Sequence, residues 1–315
     1  MISNKKIAVV IPCFKVSRQI NEVLVSLPKF IDDVIVVDDA CPEKSGNISK
    51  KLKQDNIQVI FHKKNKGVGG AVISGFKKAI ELNSDIIVKL DGDGQMDPNN
   101  IDKLIQPLID NCADYTKGNR FHDFKALKSM PKTRLLGNSF LSFAIKATSG
   151  YWNIMDPTNG FCAISSQALR SINFDKIEKG YFFETDMLVH LNIMNKVVQD
   201  IPFSTIYRNE KSNLSIIKVT LTFPFKIFKR LIKRLFLKYY IYDFNMASVY
   251  LLIAIPSITF GFFFGAYHWR IGVVENIENN PGTIMLAALP IILGLQFILQ
   301  AISIDMNNTP KRVRL

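Results

Sequence analysis

The sequence predicts an α/β cytosolic domain built on a Rossmann-like, mainly parallel sheet, followed by amphipathic interface helices and a two-helix transmembrane hairpin. Three observations carry that prediction. Through the first 210 residues, short β-branched runs alternate with helix-length segments. Near the end, two long stretches carry no charge at all. The 315-residue chain is also both basic and apolar, with 40 Lys and Arg against 27 Asp and Glu, a net charge of +13 and a mean hydropathy of +0.12. A hydrophobic share of 48% rules out wholesale disorder. The four cysteines lie far apart with no CxxC pair, which excludes a zinc ribbon or disulfide scaffold and fits a reducing compartment.

Ile7–Ile11, Val34–Val37, Ile57–Phe61 and Ile86–Leu90 read as buried strands. Arg18–Leu27, Ile48–Gln54, Gly69–Leu82 and Asn99–Asn111 read as the helices between them. This order calls for a parallel sheet covered on both faces, and such sheets bind ligands beyond the carboxyl ends of their strands. Acidic residues stand at those ends: Asp38-Asp39 after the second expected strand and Asp91-Gly92-Asp93 after the fourth.

Phe244–Tyr267 gives 24 uncharged residues and Asn279–Ile304 gives 26, where about 20 residues of helix cross a bilayer core. Pro256 and Pro290 interrupt these stretches, which membrane helices tolerate. A pair of buried core helices is the alternative; no polar residue recurs at helical spacing to support it. Ser212–Tyr242 carries seven Lys and Arg and no acid, and Lys311, Arg312 and Arg314 follow the second stretch. The 268–278 loop has Arg270 balanced by Glu275 and Glu278. Positive-inside bias therefore puts both termini in the cytoplasm and that loop outside, as a multi-pass protein of the inner membrane. The apolar run before Pro12 is too short for a signal peptide, so the first domain is expected to stay cytosolic.

Pro224–Tyr240 reads as an amphipathic helix on anionic lipid. Phe228, Leu231, Ile232, Leu235 and Tyr239 fall on one face, with Lys226, Lys229, Arg230, Lys233 and Arg234 largely on the other. The same charges could bind nucleic acid, but they lead directly into a membrane stretch, so no nucleic-acid partner is expected. The expected organisation is 1–210, the α/β domain; 211–242, a basic juxtamembrane region; 243–268 and 279–305, the spans; and 306–315, a basic tail. Gly261-x-x-x-Gly265 offers a small-residue face for homo-oligomer contact.

Asp91-Gly92-Asp93-Gly94-Gln95 is the most informative stretch. Two carboxylates one residue apart on a glycine-loosened turn suit Mg²⁺ or Mn²⁺, hard cations that keep positions for water and substrate phosphates. A bare Asp-x-Asp is often just a solvated turn; here an apolar strand precedes it, and Gln95 and Pro98 follow. Asp38 and Asp39 can accept hydrogen bonds from a nucleobase or ribose, or else cap a strand end. Asn65–Ala71 opens a helix with glycines, and Lys66 among them can face phosphates, although neither a P-loop nor GxGxxG is present. The four histidines have no ligand spacing and read, like the cysteines, as structural or surface residues.

Taken in order along essentially the whole chain, these motifs resemble the family 2 glycosyltransferases of the GT-A fold. The resemblance is nearest to the polyprenyl-phosphate glycosyltransferases, the dolichyl-phosphate-mannose-synthase-like group. Pro12-Cys13-Phe14 matches the family's opening Pro-x-Tyr, while Lys15 and Val16 stand where Asn and Glu are expected, so the acidic contact to the base is missing. The resemblance implies that Pro12, Phe14, Val37, Asp39, Lys66, Asp91 and Asp93 bind the nucleotide, with Asp93 and Gln95 as metal ligands. Gly118-Asn119-Arg120 matches a Gly-Ser-Arg segment, and Arg134 an arginine on the following helix. Asp156-Pro157-Thr158-Asn159-Gly160-Phe161 resembles the acceptor loop, and Tyr181–Asp186 an aromatic-acidic helix start below it. Arg134, Arg208 and Ser212 are implied to hold the acceptor phosphate, with Lys211 competing with Arg208 for its role.

The implied activity is inverting transfer of a single sugar from a UDP- or GDP-linked donor to a polyprenyl (undecaprenyl) phosphate on the cytoplasmic face, for cell-envelope glycan assembly or modification. The absence of QxxRW favours one transfer over polymerisation. The implied catalytic set is Asp93, Asp156, Asp186, Arg120 and Arg134. A phosphate monoester is already largely dianionic at neutral pH. Asp156 and Asp186 are therefore expected to position sugar or acceptor, with a weak-base role open to either. The alternatives are a different lipid or glycan acceptor, or a degenerate membrane scaffold, for which the Lys15-Val16 departure is the only support.

Overall fold

The computed structural model describes residues 2–52, 55–120, 132–203 and 216–312. They divide into two compact units, Met1–Leu231 with Pro310–Leu315, and Ile232–Thr309. In the first unit β1 (Ile7–Cys13), β2 (Asp33–Asp38), β3 (Ile57–Phe61) and β4 (Ile86–Lys89) form on the β-branched runs. Between and after them lie α1 (Ile20–Val25), α2 (Ser45–Lys51), α3 (Val68–Glu81) and, beyond a 3₁₀ turn at Pro98–Asn100, α4 (Ile101–Ile109). The four strands are parallel in the order β3-β2-β1-β4. Alternate residues feed two cores. Ala8, Val10, Ile35 and Val37 pack with α3, whereas Ile7, Val9, Ile11, Val34 and Val36 pack with residues of α1 and α4. Burial on both faces is why these strands read as unbroken apolar runs.

Three further strands complete a seven-stranded sheet among the described residues: β5 (Tyr115–Asn119), β6 (Cys162–Ser165) and β7 (Val198–Pro202), in the order β3-β2-β1-β4-β6-β5-β7. β6 is antiparallel to β4 and β5, while β5 and β7 are parallel. The apolar pattern hides them, because Thr116, Lys117 and Asp200 interrupt it. α5 (Lys132–Ser149), α6 (Ser166–Arg170) and α7 (Phe183–Ile193) complete this part, and every residue of α7 is buried. Strand order reverses at β1 and β4, which opens a crevice beyond their carboxyl ends. The antiparallel β6 brings the loop that precedes it to the same edge.

α8 (Ile216–Phe236) begins earlier than the expected Pro224 and passes through it to a π-helical turn at Leu237–Tyr242. Pro224 is exposed on the helix. The two faces also correct the expectation. Phe225, Phe228, Ile232 and Phe236 are exposed, whereas Arg234 is buried and Arg230 turns inward onto Asp186. A charge pattern gives the sidedness of a helix but not which side meets protein.

In the second unit α9 (Met246–Glu275) and α10 (Pro281–Asn307) have mean hydropathies of 1.9 and 2.1 over their most apolar windows. Only 11% and 6% of those windows is buried, so they are not core helices of this chain, and both are long enough to cross a bilayer. α9 opens on an Asn245/Ser248 capping box. It continues through His268–Glu275 and stops at Asn276 in the left-handed conformation, so the loop expected at 268–278 is confined to 276–280. Loss of apolar pattern does not end a helix; a left-handed Asn does. Gly261 and Gly265, expected to serve self-association, face α10 instead. A Cβ on Gly261 would lie 2.6 Å from the Ala287 carbonyl oxygen, and one on Gly265 3.1 Å from Ala287 Cβ. The small residues serve the hairpin itself.

Arg234 Nη1 and Nη2 donate to Asp305 Oδ1 and Oδ2 at 2.8 and 2.9 Å, and the Tyr239 hydroxyl donates to Oδ1 at 2.5 Å. Removing one partner of a buried pair strands the other charge. Asp305→Ala is therefore expected to destabilise the second unit by about 3–5 kcal/mol, read as a fall in the thermal midpoint in detergent. An unchanged midpoint would deny the pair that role.

Candidate active site

Lys89, the last residue of β4, is fully buried, with Nζ 3.0 Å from Asp91 Oδ1 and 3.0 Å from Glu184 Oε1 in the first turn of α7. Burial pulls the ammonium pKa down, but the Asp91 and Glu184 carboxylates outweigh it and hold the group above its ordinary range. Asp91 remains partly exposed, and Asp93 Oδ1 accepts from the Gln95 amide at 3.0 Å. The loop before β6 closes over this turn. A Cβ on Gly160 would lie 2.2 Å from Asp91 Oδ2 and 2.6 Å from Lys89 Nζ, so a larger residue would displace the Lys89–Asp91 pair.

Asp91, Asp93 and Gln95 are all partly exposed and offer hard oxygen donors. Among the described residues no three His, Cys, Asp or Glu side chains gather into a closed cation cage. Two carboxylates and an amide with room for other ligands fit Mg²⁺ or Mn²⁺ completed by phosphate and water.

Pro12, next to last in β1, stands beside Val37 of β2, and Phe14 follows the strand, exposed at the crevice mouth. Lys15 sits at φ +59°, its N–H donating to Cys41 Sγ at 3.0 Å. Alternation along β2 turns the Val37 side chain into the α3-side core, so a nucleotide contact at this position would fall to its backbone. Asp38 caps its own loop, accepting from the Cys41 and Gly46 amides, both at 2.7 Å. Asp39 accepts from His62 Nδ1 at 2.6 Å and from the Lys66 and Gly67 amides at 2.8 Å. His62 Nε2 meets Ser74 Oγ at 2.9 Å. Three of the roughly four acceptor positions of that carboxylate are thus occupied. Asp39 shapes the turn that presents the exposed Lys66 side chain.

At the other end of the edge, Arg120 follows β5 and grips the fully buried Asp156 with two donors, Nε to Oδ2 at 2.6 Å and Nη2 to Oδ1 at 3.1 Å. Asn159 Nδ2 donates to the Gly118 carbonyl at 2.8 Å, and the buried Lys117 Nζ donates to the Asn159 carbonyl. Burial pushes the Lys117 ammonium down from its ordinary pKa. Behind Asp156, burial pushes the Asp200 carboxyl up to about 6, although the Met155 amide donates to its Oδ2 at 2.5 Å. Asp186 does not reach the crevice. It is fully buried, held by Arg230 Nε at 2.7 Å and Nη2 at 2.8 Å and by the Glu178 amide at 2.8 Å. Arg134 lies on α5 with its side chain outside the described residues, and Arg208, Lys211 and Ser212 lie outside them altogether.

The edge therefore brings together Pro12, Phe14, Asp39, Asp91, Asp93, Gln95, Arg120 and Asp156. Sequence reasoning missed Lys89, Lys117, Asp200 and Arg230 as parts of this framework. Lys89 did leave a signal: a lysine closing the apolar run Ile86-Ile87-Val88 demands an anion.

Residues 8–172 match the family described as Glycosyl transferase family 2. The chain is 33% identical over 247 residues to the UDP-N-acetylglucosamine--dolichyl-phosphate N-acetylglucosaminyltransferase of Methanococcus voltae, covering 73% of this chain and 96% of the relative. It is 30% identical over 179 residues to the undecaprenyl-phosphate mannosyltransferase of Micrococcus luteus, covering 56% and 72%. A solved structure of glucosyl-3-phosphoglycerate synthase from Mycobacterium tuberculosis with Mn²⁺, UDP and phosphoglyceric acid aligns at a TM-score of 0.54 and 16% identity, over 73% of this chain and 78% of that one. That likeness bears out the expected GT-A sheet.

The Asp200 carboxyl gives a pH signature. Its pKa is raised on folding from an unfolded value near 3.8 to about 6. Its contribution to stability is thus fully present below about pH 4 and lost as pH rises through 6. Asp200→Asn keeps an acceptor for Met155 without the buried charge. It is expected to exceed the wild type by about 1–2 kcal/mol at pH 7.5, with the gap closing below pH 5. Thermal unfolding at both pH values checks this; a gap independent of pH would count against it.

Proposed function

The chain belongs to glycosyl transferase family 2, and from that premise we propose that it transfers one sugar from a nucleotide sugar to a polyprenyl phosphate at the cytoplasmic membrane surface. One observation carries the reading: Gly160 seats the acceptor-side loop directly on Asp91, so the Asp91/Asp93/Gln95 turn and the Arg120–Asp156 pair share one edge. The relatives named for dolichyl and undecaprenyl phosphates support the acceptor class. The Methanococcus voltae relative favours a UDP-linked donor over a GDP-linked one.

In this reading an acceptor phosphate oxygen attacks the anomeric carbon from the side opposite the nucleotide. A carbon–oxygen bond to the phosphate forms, the bond to the diphosphate breaks, and the electron pair leaves with the diphosphate, inverting the carbon. The nucleophile is already anionic, so the task is to bring two anions together. Asp93 and Gln95 would hold the divalent cation, which when bound stabilises charge on the leaving diphosphate. Lys89 fixes Asp91 beneath that turn. Pro12 and Phe14 wall the base, and Lys66 faces the phosphates. Arg120, Arg134, Ser212 and either Arg208 or Lys211 receive the acceptor phosphate. Asp156 orients Arg120 and closes the acceptor loop.

α9 and α10 fit the two spans, and the basic residues on either side of them support cytoplasmic termini. Arg312 donates to Asp114 Oδ1 at 2.7 Å, a contact of the tail with the sheet-bearing unit that agrees with this sidedness. A cysteine introduced as Glu278→Cys is expected to react with a membrane-impermeant maleimide added to intact cells, and one introduced as Lys311→Cys only after lysis. The opposite pattern would invert the topology.

The test of function is transfer of label from a panel of nucleotide sugars, with Mn²⁺ or Mg²⁺, to undecaprenyl phosphate. The product is expected in the organic phase and is released by mild acid. Asp93→Ala should lower the rate by a factor on the order of 10³ while the protein still inserts in the membrane. Full activity in that variant would unseat the metal assignment, and transfer from no donor would unseat the function.

A further inference from the structure

The segment Lys176–Asp186 lies between α8 and the crevice. On one side Arg230 pairs with Asp186, Nη2 donating to Oδ2 at 2.8 Å while Nε lies 2.7 Å from Oδ1, and Nη2 also donates to the Lys176 carbonyl at 3.3 Å. Lys226 pairs with Glu178 at 3.1 Å, and the rings of Phe182 and Phe223 meet edge-on at 5.3 Å. On the other side the segment seats the glycine turn. Gly70 donates to the Lys179 carbonyl at 3.1 Å. A Cβ on Gly67 would lie 2.6 Å from that same oxygen, and one on Gly69 2.7 Å from the Glu178 oxygen. Gly67, at φ +83°, and Lys66 are the amides that hold Asp39. Glu184, two residues before Asp186, holds Lys89 and through it Asp91.

Every link in this chain is short and the interior is close-packed, so α8 cannot shift without moving the backbone that shapes both donor-side turns. Asp186 makes the position all-or-none. Withdrawing Arg230 would leave a fully buried carboxylate with the Glu178 amide and the His190 ring, whose Nδ1 lies 3.4 Å away, as its described partners. Meanwhile Phe225 and Phe228 form an exposed apolar stripe on this part of α8. The geometry points to Arg230 as a positioning residue through which docking of the α8 stripe on lipid raises nucleotide affinity at the Lys66–Gly67 turn and Asp91. This inference rests on the nucleotide site and membrane location proposed above.

The test uses the full chain in nanodiscs of neutral phosphatidylcholine, or of phosphatidylcholine with anionic phosphatidylglycerol. UDP and GDP, each with Mn²⁺, are titrated calorimetrically well below each variant's unfolding midpoint. The wild type is expected to bind its nucleotide about tenfold more tightly in the anionic discs. Arg230→Gln is expected to bind weakly in both and to lose that preference. Arg230→Lys, which keeps the charge but not the guanidinium bonds to Asp186 and the Lys176 carbonyl, should recover part of it. The double variant Asp186→Asn with Arg230→Gln removes the stranded charge; it should regain thermal stability without regaining the lipid preference. A merely structural pair would lower the midpoint of Arg230→Gln and leave affinity and lipid preference intact, and that result would overturn the inference. So would a wild type that binds equally in both discs. A wild type that binds neither nucleotide in any disc would overturn the proposed donor site, and this coupling with it.

Discussion

The buried ammonium of Lys89 is the constraint on which the crevice depends. A lysine at the end of a strand covered on both faces has lost its water, and its charge survives only because Asp91 and Glu184 lie 3.0 Å away. That requirement fixes three elements at once. β4 must end where the acidic turn begins, α7 must present its first turn to the sheet, and the loop before β6 crosses with Gly160, where a side chain would push the pair apart. The pairing also divides labour between the two acidic residues of the turn. Asp91 is tied down by an internal cation, while Asp93 organises the turn through the Gln95 amide and stays partly exposed.

The same economy of charge recurs along α8. Read as a pattern, the basic residues between 226 and 234 are a surface for anionic lipid. In the fold, Arg230 and Arg234 are counterions for buried aspartates, each within its own unit, and Lys226 pairs with Glu178. For Arg234 a bidentate guanidinium suits this use better than an ammonium, because its planar fork meets both Asp305 oxygens. What the helix exposes includes Phe225, Phe228 and Lys229, so apolar burial and the lysine charge would both act in its contact with lipid.

How much of this the sequence disclosed depended on the kind of burial involved. Strands covered on both faces announce themselves as β-branched runs, and β1 to β4 lie close to where those runs are. β5 and β7 carry internal polar groups, Lys117 and Asp200, whose partners come from distant loops, so no local period marks them. The two membrane-length helices were legible from length and hydropathy, but the end of α9 was not, because it is set by one left-handed Asn. Motif order located the acidic turn and the acceptor loop. It could not tell that Val37 points into the core, that Asp38 serves only its own loop, or that Asp186 answers an arginine 44 residues later. Each of those is decided by tertiary contacts that leave no periodic trace.

The Arg120–Asp156 pair limits what the acceptor side of the site can do. Asp156 is fully buried and takes two of the five guanidinium donors, so the pair presents oriented N–H groups with little net charge. Such a pair can aim a phosphate, but it cannot by itself offset the repulsion between a dianionic acceptor and a nucleotide diphosphate. Under the proposed chemistry that neutralisation falls to other cations. On the donor side these are the divalent ion and Lys66. On the acceptor side they are Arg134 and the basic segment around Arg208 and Lys211. The division follows from solvation: a cation that must receive and release a phosphate in every cycle gains nothing from a permanent anionic partner, whereas one that must hold a loop in register requires it.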